Sequence, residues 1–166
     1  MIFSRVIQFN RAILASIRGV TNKDLEFVRT YLNDKEFMIF NMMSSFDKLH
    51  CIRVAKTVQL CKYKEDINLK NKLVKIALIH DVGKSVTKYT IIDRVILVLI
   101  KKTYKNKKFN FSWRKADIYY NHAEIGYNIL KQYGFDEDIL FVVKNHHNKD
   151  ENDKMVKLLM KCDEKN

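Results

Sequence analysis

Apolar residues recur every three or four positions through nearly the whole chain, and no useful run alternates apolar with polar as a half-buried strand does. The pattern predicts a succession of helices. An amphipathic helix over about 3 to 18, striped by Phe3, Ile7, Ile13, Leu14 and Ile17, ends at Gly19. Thr21 and Asp24 have the spacing of a capping box and open a helix through about Leu32, followed by a short one over 34 to 43. Ser44 or Ser45 caps a long helix with the sequence FDKLHCIRVAKTVQLCKYK. After a polar break at Asp66 to Asn68, LKNKLVKIALIHDVGK continues as a helix to near Gly83.

The stretch from Ser85 to Asn121 is less regular: an apolar helix over about 91 to 104, a basic patch, and a short helix around Trp113. His122 is expected to open a helix that closes at Gly134. Asp136 caps the next, which ends in the His146-His147 doublet, and a last helix over about 153 to 164 carries Asp163. The expected fold class is an all-α bundle of about six to eight helices, without internal repeat or low-complexity linker.

Composition sharpens this in four respects. A length of 166 residues suits one domain with one core, and 47% apolar with 30% charged residues describes a folded globule. With no proline and 4 glycines, long stretches run without a breaker, which favours helices. Cys51, Cys61 and Cys162 form no CxxC pair and read as buried thiols in a reducing cytosol. The net charge of +12 draws phosphate-bearing partners, although richness in Lys, Asn and Ile, the residues of A+T-rich codons, accounts for part of it.

Arg5, Gln8, Asn10 and Arg11 interrupt the N-terminal stretch, so it lacks a signal-peptide core. Ile91 to Ile100 contains Asp93 and Arg94 and is far shorter than the ~20 residues of a membrane span. The expectation is a cytoplasmic protein with no membrane span.

The candidate chemistry lies in the histidines. All 5 sit beside apolar stripes or aspartates: His50, His80 next to Asp81, His122, and the pair His146 and His147, with Asp163 further on. His80 falls on the stripe of Leu73, Ile76 and Ala77, and His50 shares a face with Phe46 and Val54. His122 is in line with Ile125, Gly126 and Ile129, and His146 follows Ile139, Val142 and Val143. Asp163 is in line with Met155, Leu159 and Cys162. Turning these groups into an apolar interior is prohibitive unless something satisfies them, and a bound metal is the simplest agent. The mixed nitrogen and oxygen set suits Zn, Fe, Mn or Co. There is no HExxH pair, no Gly-rich phosphate loop, no GxSxG elbow, and no Glu three residues before any histidine.

HCIRVA around His50, ALIHDVGK around His80-Asp81 and HAEIGYNIL after Asn121 carry the order His … His-Asp … His … His-His … Asp. This resembles the HD superfamily of metal-dependent phosphohydrolases, over about residues 45–166. The resemblance implies an HD-domain helical bundle: a single domain over 1–166, with a catalytic core of 45–166 and an N-terminal helical extension of 1–44. It implies one or two divalent ions (Fe, Mn, Zn, Co or Ni). His50, His80, Asp81 and Asp163 would hold the first and His122, His146 and His147 the second, with Asp81 bridging.

It further implies catalytic roles for Asp81, Lys84 and Arg53. Metal-activated hydroxide would cleave a phosphoester or phosphoanhydride of a small phosphorylated molecule, a nucleotide foremost. Lys84 would stand near the attacking water or a phosphate oxygen, and Arg53 would grip a phosphate. Asp47, Glu124 and Asn121 are candidate partners that orient imidazoles. NKDENDKM after the doublet lacks glycine and proline, so the G-Y-P loop of the cyclic-dinucleotide phosphodiesterases is missing. The branch that splits symmetrical dinucleoside tetraphosphates usually has one histidine where this chain has two.

Two other readings stay open. One is a regulatory module that binds metal and nucleotide without turnover. The other is a basic domain that stacks nucleic acid on Tyr104, Phe109, Phe111 and Trp113 within KKTYKNKKFNFSWRK, although nucleic acid is not the expected partner.

Overall fold

The computed structural model describes residues 19–61, 66–103 and 113–166, with the side chains of 98–103 set aside. The helix expected over 3–18 and most of the basic and aromatic run lie outside the described residues. Among the described residues the chain forms α-helices and one 310 turn, and no strand. In order these are α1 (Asn22–Tyr31), α2 (Asp34–Asn41), α3 (Ser45–Leu60), α4 (Ile67–Ile79), the 310 turn (Val82–Val86), α5 (Ile91–Thr103), α6 (Arg114–Gln132), α7 (Glu137–Asn145) and α8 (Lys154–Asp163). No helix among them is long and apolar enough to cross a membrane.

Local chemistry accounts for most of the boundaries. Thr21 with Asp24 and Asn33 with Glu36 make full capping boxes, and Thr90 with Asp93 makes the same reciprocal pair ahead of α5. Ser44, Asp66 and Asp153 accept from the first-turn amides of α3, α4 and α8. Helix α6 ends at Gly134, whose φ of +70° lets Phe135 N–H reach Leu130 O and Gly134 N–H reach Lys131 O.

Two boundaries differ from expectation. Helix α4 stops at Ile79 rather than near Gly83, and His80 and Asp81 lead into the 310 turn. Trp113 does not belong to a separate short helix. It caps α6, a single 19-residue helix with His122 in its middle, because no breaker separates Arg114 from His122.

Helix α4 is the centre of the bundle. Leu73, Val74, Ile76, Ala77, Leu78 and Ile79 point all round its axis and are all buried, so other elements must cover every side. Helix α3 covers one flank with Cys51, Ile52, Val54, Ala55 and Val58, and α7 and α8 add Val143, Leu140, Val156 and Leu159. Val28, Leu32, Ile39 and Phe40 of the N-terminal region belong to the same core. Each large apolar side chain buried this way contributes about 1.5–3 kcal/mol.

The 310 turn crosses α6 at very close range. A Cβ on Gly83 would lie 2.0 Å from His122 O and 2.7 Å from Gly126 N, so only glycine fits. A Cβ on Gly126 would meet its nearest neighbours at 3.3 to 3.5 Å, which is tight but tolerable. Gly83→Ala is therefore expected to destabilise the protein by about 3 kcal/mol or more, because backbone must give way. For Gly126→Ala the gain in helix propensity of about 1 kcal/mol offsets the crowding. Urea unfolding of both variants checks this; equal midpoints would contradict the close crossing.

Candidate metal centre

Five elements deliver the chemistry-bearing side chains to one place. His50 comes from α3, His80 and Asp81 from the end of α4, His122 from α6, His146 and His147 from the end of α7, and Asp163 from the last residue of α8. Asp81 has φ −93° and ψ 8°, the sparsely populated bridge region where many active-site residues sit.

Three imidazoles are oriented by one repeated device. His80 Nδ1 lies 2.9 Å from Ala77 O, His122 Nδ1 2.5 Å from Tyr119 O, and His146 Nδ1 2.6 Å from Val143 O. A carbonyl only accepts, so each Nδ1 carries the proton and donates it, leaving each Nε2 as a bare lone pair. In each case the carbonyl is three residues earlier, within the same helix. Those lone pairs all face the same interior.

Two groups of donors face each other there. His50, His80 and Asp81 form one and His122, His146 and His147 the other, with the ligand atoms of each group within 4.8 Å of one another. Asp81 stands between them. Its Oδ2 is 3.7 Å from both His50 Nε2 and His80 Nε2, and its Oδ1 is 3.1 Å from His122 Nε2. Asp163 Oδ1 is 2.8 Å from His50 Nε2 and 3.9 Å from His80 Nε2. His147 Nε2 lies 3.1 Å from His122 Nε2, and the rings of His146 and His147 are 4.1 Å apart.

The chemistry of this set fits a divalent cation. His80 Nε2, His146 Nε2 and Asp81 Oδ1 are buried and have no hydrogen-bond partner among the described residues. His122 Nε2 approaches Asp81 Oδ1 at 3.1 Å, yet that oxygen has no hydrogen-bond partner among the described residues. Buried polar atoms left unsatisfied cost about 1–3 kcal/mol each. A positive ion among them would satisfy these atoms, and nitrogen and carboxylate oxygen are donors it accepts.

The titration state suits the same purpose. Burial pushes the Asp81 carboxyl up, but Lys84, with Nζ 2.6 Å from Oδ2, and then His80 hold it well below the usual carboxylate range. Burial likewise raises Asp163, and the hydrogen bond from His50 more than reverses this. Burial pulls His80 down, and it pulls His146 far down together with the neighbouring His147, His80 and His122. The carboxylates are thus ionised and these imidazoles neutral, the forms that bind metal. His80, Asp81, His122 and His146 are buried; His50 and Asp163 are partly open and His147 is exposed, so the cluster opens on their side.

The residues expected to orient imidazoles do not do so. Asp47 instead receives two N–H bonds from Arg94, at 2.8 and 2.9 Å, and Arg94 also reaches Ser44 Oγ. Asn121 donates to Asp117, and Glu124 pairs with Lys144 at the surface. Positions one before and two after His122 point away from its face of the helix, so neither could reach the ring. Main-chain carbonyls take the role, which no residue type in the sequence signals. The buried Arg94–Asp47 bridge has no local signature in the sequence either, since its partners are 47 positions apart.

Lys84 is engaged with Asp81 rather than projecting freely. Arg53, half-buried on α3 one turn after His50, makes no ion pair or hydrogen bond through its guanidinium among the described residues, and its Nε is buried without a partner.

A buried cluster of facing imidazoles and carboxylates on an all-α scaffold is a group of donors that could hold a metal ion. The chain belongs to the HD domain family, whose model matches residues 49–164, a span that includes every histidine and Asp163. The family consists in general of metal-dependent hydrolases. No curated protein and no solved structure matches the chain.

The depressed pKa values set a pH dependence for the metal-free protein. A histidine with a lowered folded-state pKa binds fewer protons folded than unfolded, so stability falls with pH below the ordinary imidazole value of 6.5. The carboxylates add a second loss below 3.8. Chelator-treated protein should therefore show urea midpoints that fall from about pH 7.5 to about pH 5, the range in which imidazoles titrate. Midpoints that rise or stay level across that range would contradict the neutral, buried state of His80 and His146.

Proposed function

We propose that this protein is a metal-dependent phosphohydrolase that cleaves a phosphoester or phosphoanhydride bond in a small phosphorylated molecule, with nucleotides the foremost class. The observation that carries the reading is the set of buried, unpartnered lone pairs turned toward one another: His80 Nε2, His146 Nε2 and Asp81 Oδ1. His50, His80, Asp81 and Asp163 would hold one cation, and His122, His146 and His147, with Asp81 shared, a second. When bound, such cations make water acidic and polarise phosphoryl oxygen.

The chain's own residues do the rest. Lys84 keeps Asp81 ionised through the 2.6 Å contact and adds positive charge beside the reacting group. The backbone carbonyls of Ala77, Tyr119 and Val143 fix the tautomer of three imidazoles, so no proton need leave them before a ligand binds. Arg53, with no counter-ion among the described residues, can offer two parallel N–H donors to a phosphate. The side where His50, Asp163 and His147 are least covered is the entrance for substrate. A net charge of +12 favours an anionic substrate there. Residues 45–166 act as the catalytic core and 1–44 as an extension of the same single domain; Val28, Leu32, Ile39 and Phe40 in the shared core support this.

The experiment is a panel of nucleotides and other phosphoesters, assayed with Mn or Fe supplied and phosphate release followed. At least one compound is expected to be hydrolysed on the order of 10²-fold or more faster than by the His80→Ala, Asp81→Ala double variant. For that compound, Arg53→Ala should lower kcat/KM by about 10- to 100-fold, the range for a hydrogen bond to a charged group. Release no faster than the double variant's on every compound would defeat the hydrolase reading. Tight nucleotide binding without turnover would instead identify a binding module on the same scaffold.

A further inference from the structure

We propose that the hydroxyl of Tyr119 is a substrate-binding donor of this site, giving a hydrogen bond to a phosphoryl oxygen from the α6 side; this rests on the phosphohydrolase reading above. Tyr119 lies one helical turn before His122, so the two side chains leave α6 on the same face. Its ring centroid is 6.1 Å from that of His122 and 5.7 Å from Lys84 Nζ, which is itself 2.6 Å from Asp81 Oδ2. The tyrosine ring therefore packs beside His122 and the Lys84–Asp81 pair, at the edge of the donor cluster.

The hydroxyls around it are differently occupied. Tyr89 packs edge-on against Tyr119 with centroids 6.3 Å apart, and its hydroxyl donates to Lys115 O at 3.2 Å. Tyr120 packs edge-on at 5.4 Å and donates to Leu97 O at 3.2 Å. Both are thus tied to main chain. The Tyr119 hydroxyl bonds no group among the described residues, and the residue is not fully covered. The charges acting on it are those of the cluster and its rim: Lys84, Asp81, Arg94 and Asp163. A phenol carries its proton at neutral pH, so it is available as a donor.

A phosphoryl group has only acceptors to offer, while the cluster presents lone pairs and carboxylates. Those of its oxygens not taken up by cations need N–H or O–H groups on the walls. Lys84 is engaged with Asp81 and Arg53 stands on α3, so on the α6 wall Tyr119 is the donor with a hydrogen to spare. Its main-chain carbonyl, which holds His122, is untouched by substitution of the side chain.

The test is Tyr119→Phe, with metal content, melting temperature, orthophosphate affinity by calorimetry on metal-loaded protein, and kinetics on the best compound of the panel. Metal content and melting temperature are expected to match the wild type, while orthophosphate affinity falls by about 10- to 100-fold, as loss of a hydrogen bond to an anion does. Equal orthophosphate affinity in variant and wild type would overturn the proposal while leaving the hydrolase reading intact. A wild type that binds orthophosphate but hydrolyses nothing overturns the hydrolase reading, and the two affinities still decide the tyrosine contact. A wild type that does not bind orthophosphate overturns the tyrosine contact, while phosphate release from the panel still decides the hydrolase reading. Loss of metal from the variant would also overturn the proposal, since the tyrosine would then act through the cluster rather than on substrate.

Discussion

Three imidazole N–H groups bonded to carbonyls of their own helices hold the rest of the site in place. Each bond spends the Nδ1 hydrogen of His80, His122 or His146 and leaves Nε2 aimed inward with nothing to donate. The Nε2 atoms of His80 and His146 are buried without a hydrogen-bond partner among the described residues, the former 3.7 Å from Asp81 Oδ2. The bundle tolerates the arrangement because the C-terminal half of α4, covered almost all round, fixes where His80 and Asp81 emerge. The apolar core supplies stability, and the cluster at its edge holds buried polar atoms that a cation would satisfy.

The close crossing of the 310 turn over α6 sets the spacing between the two halves of the cluster. Gly83 brings the backbone after Asp81 against the carbonyl of His122, so the carboxylate cannot withdraw from the second group of imidazoles without the turn lifting off. Lys84, next in the turn, is thereby brought onto Asp81 Oδ2. A single small residue thus couples the placement of the shared carboxylate, its ionisation and its distance from His122. On the far side, the Arg94–Asp47 bridge ties α5 to the first turn of α3, the helix that carries His50.

Much of this was legible in the sequence, for physical reasons that can be named. Helix stripes follow from the 3.6-residue period, and the capping residues Thr21, Ser44 and Gly134 announce their ends directly. His80, His122 and His146 could be placed on inward faces because polar groups in apolar stripes stand out, whereas His147, expected inside with them, is exposed. The end of α4 at Ile79 was not legible, since it depends on a contact between Gly83 and a helix some forty residues away. Nor was the start of α6, because Trp113 caps it without a side-chain bond. The imidazole partners were misassigned to Asp47, Asn121 and Glu124 because carbonyl groups occur at every position and leave no mark in the sequence. The basic excess was visible, but not that Arg94 is neutralised by Asp47 while Arg53 lacks any such partner among the described residues.

The central claim is that the converging lone pairs form a divalent-cation site. An X-ray absorption spectrum at the metal edge, taken on protein loaded with a single transition metal, tests it most directly. The account predicts a shell of nitrogen and oxygen donors at about 2.0–2.2 Å with the multiple-scattering signature of several imidazoles, reduced in His146→Ala. A shell of water oxygen alone, or a spectrum unchanged by that substitution, would contradict it.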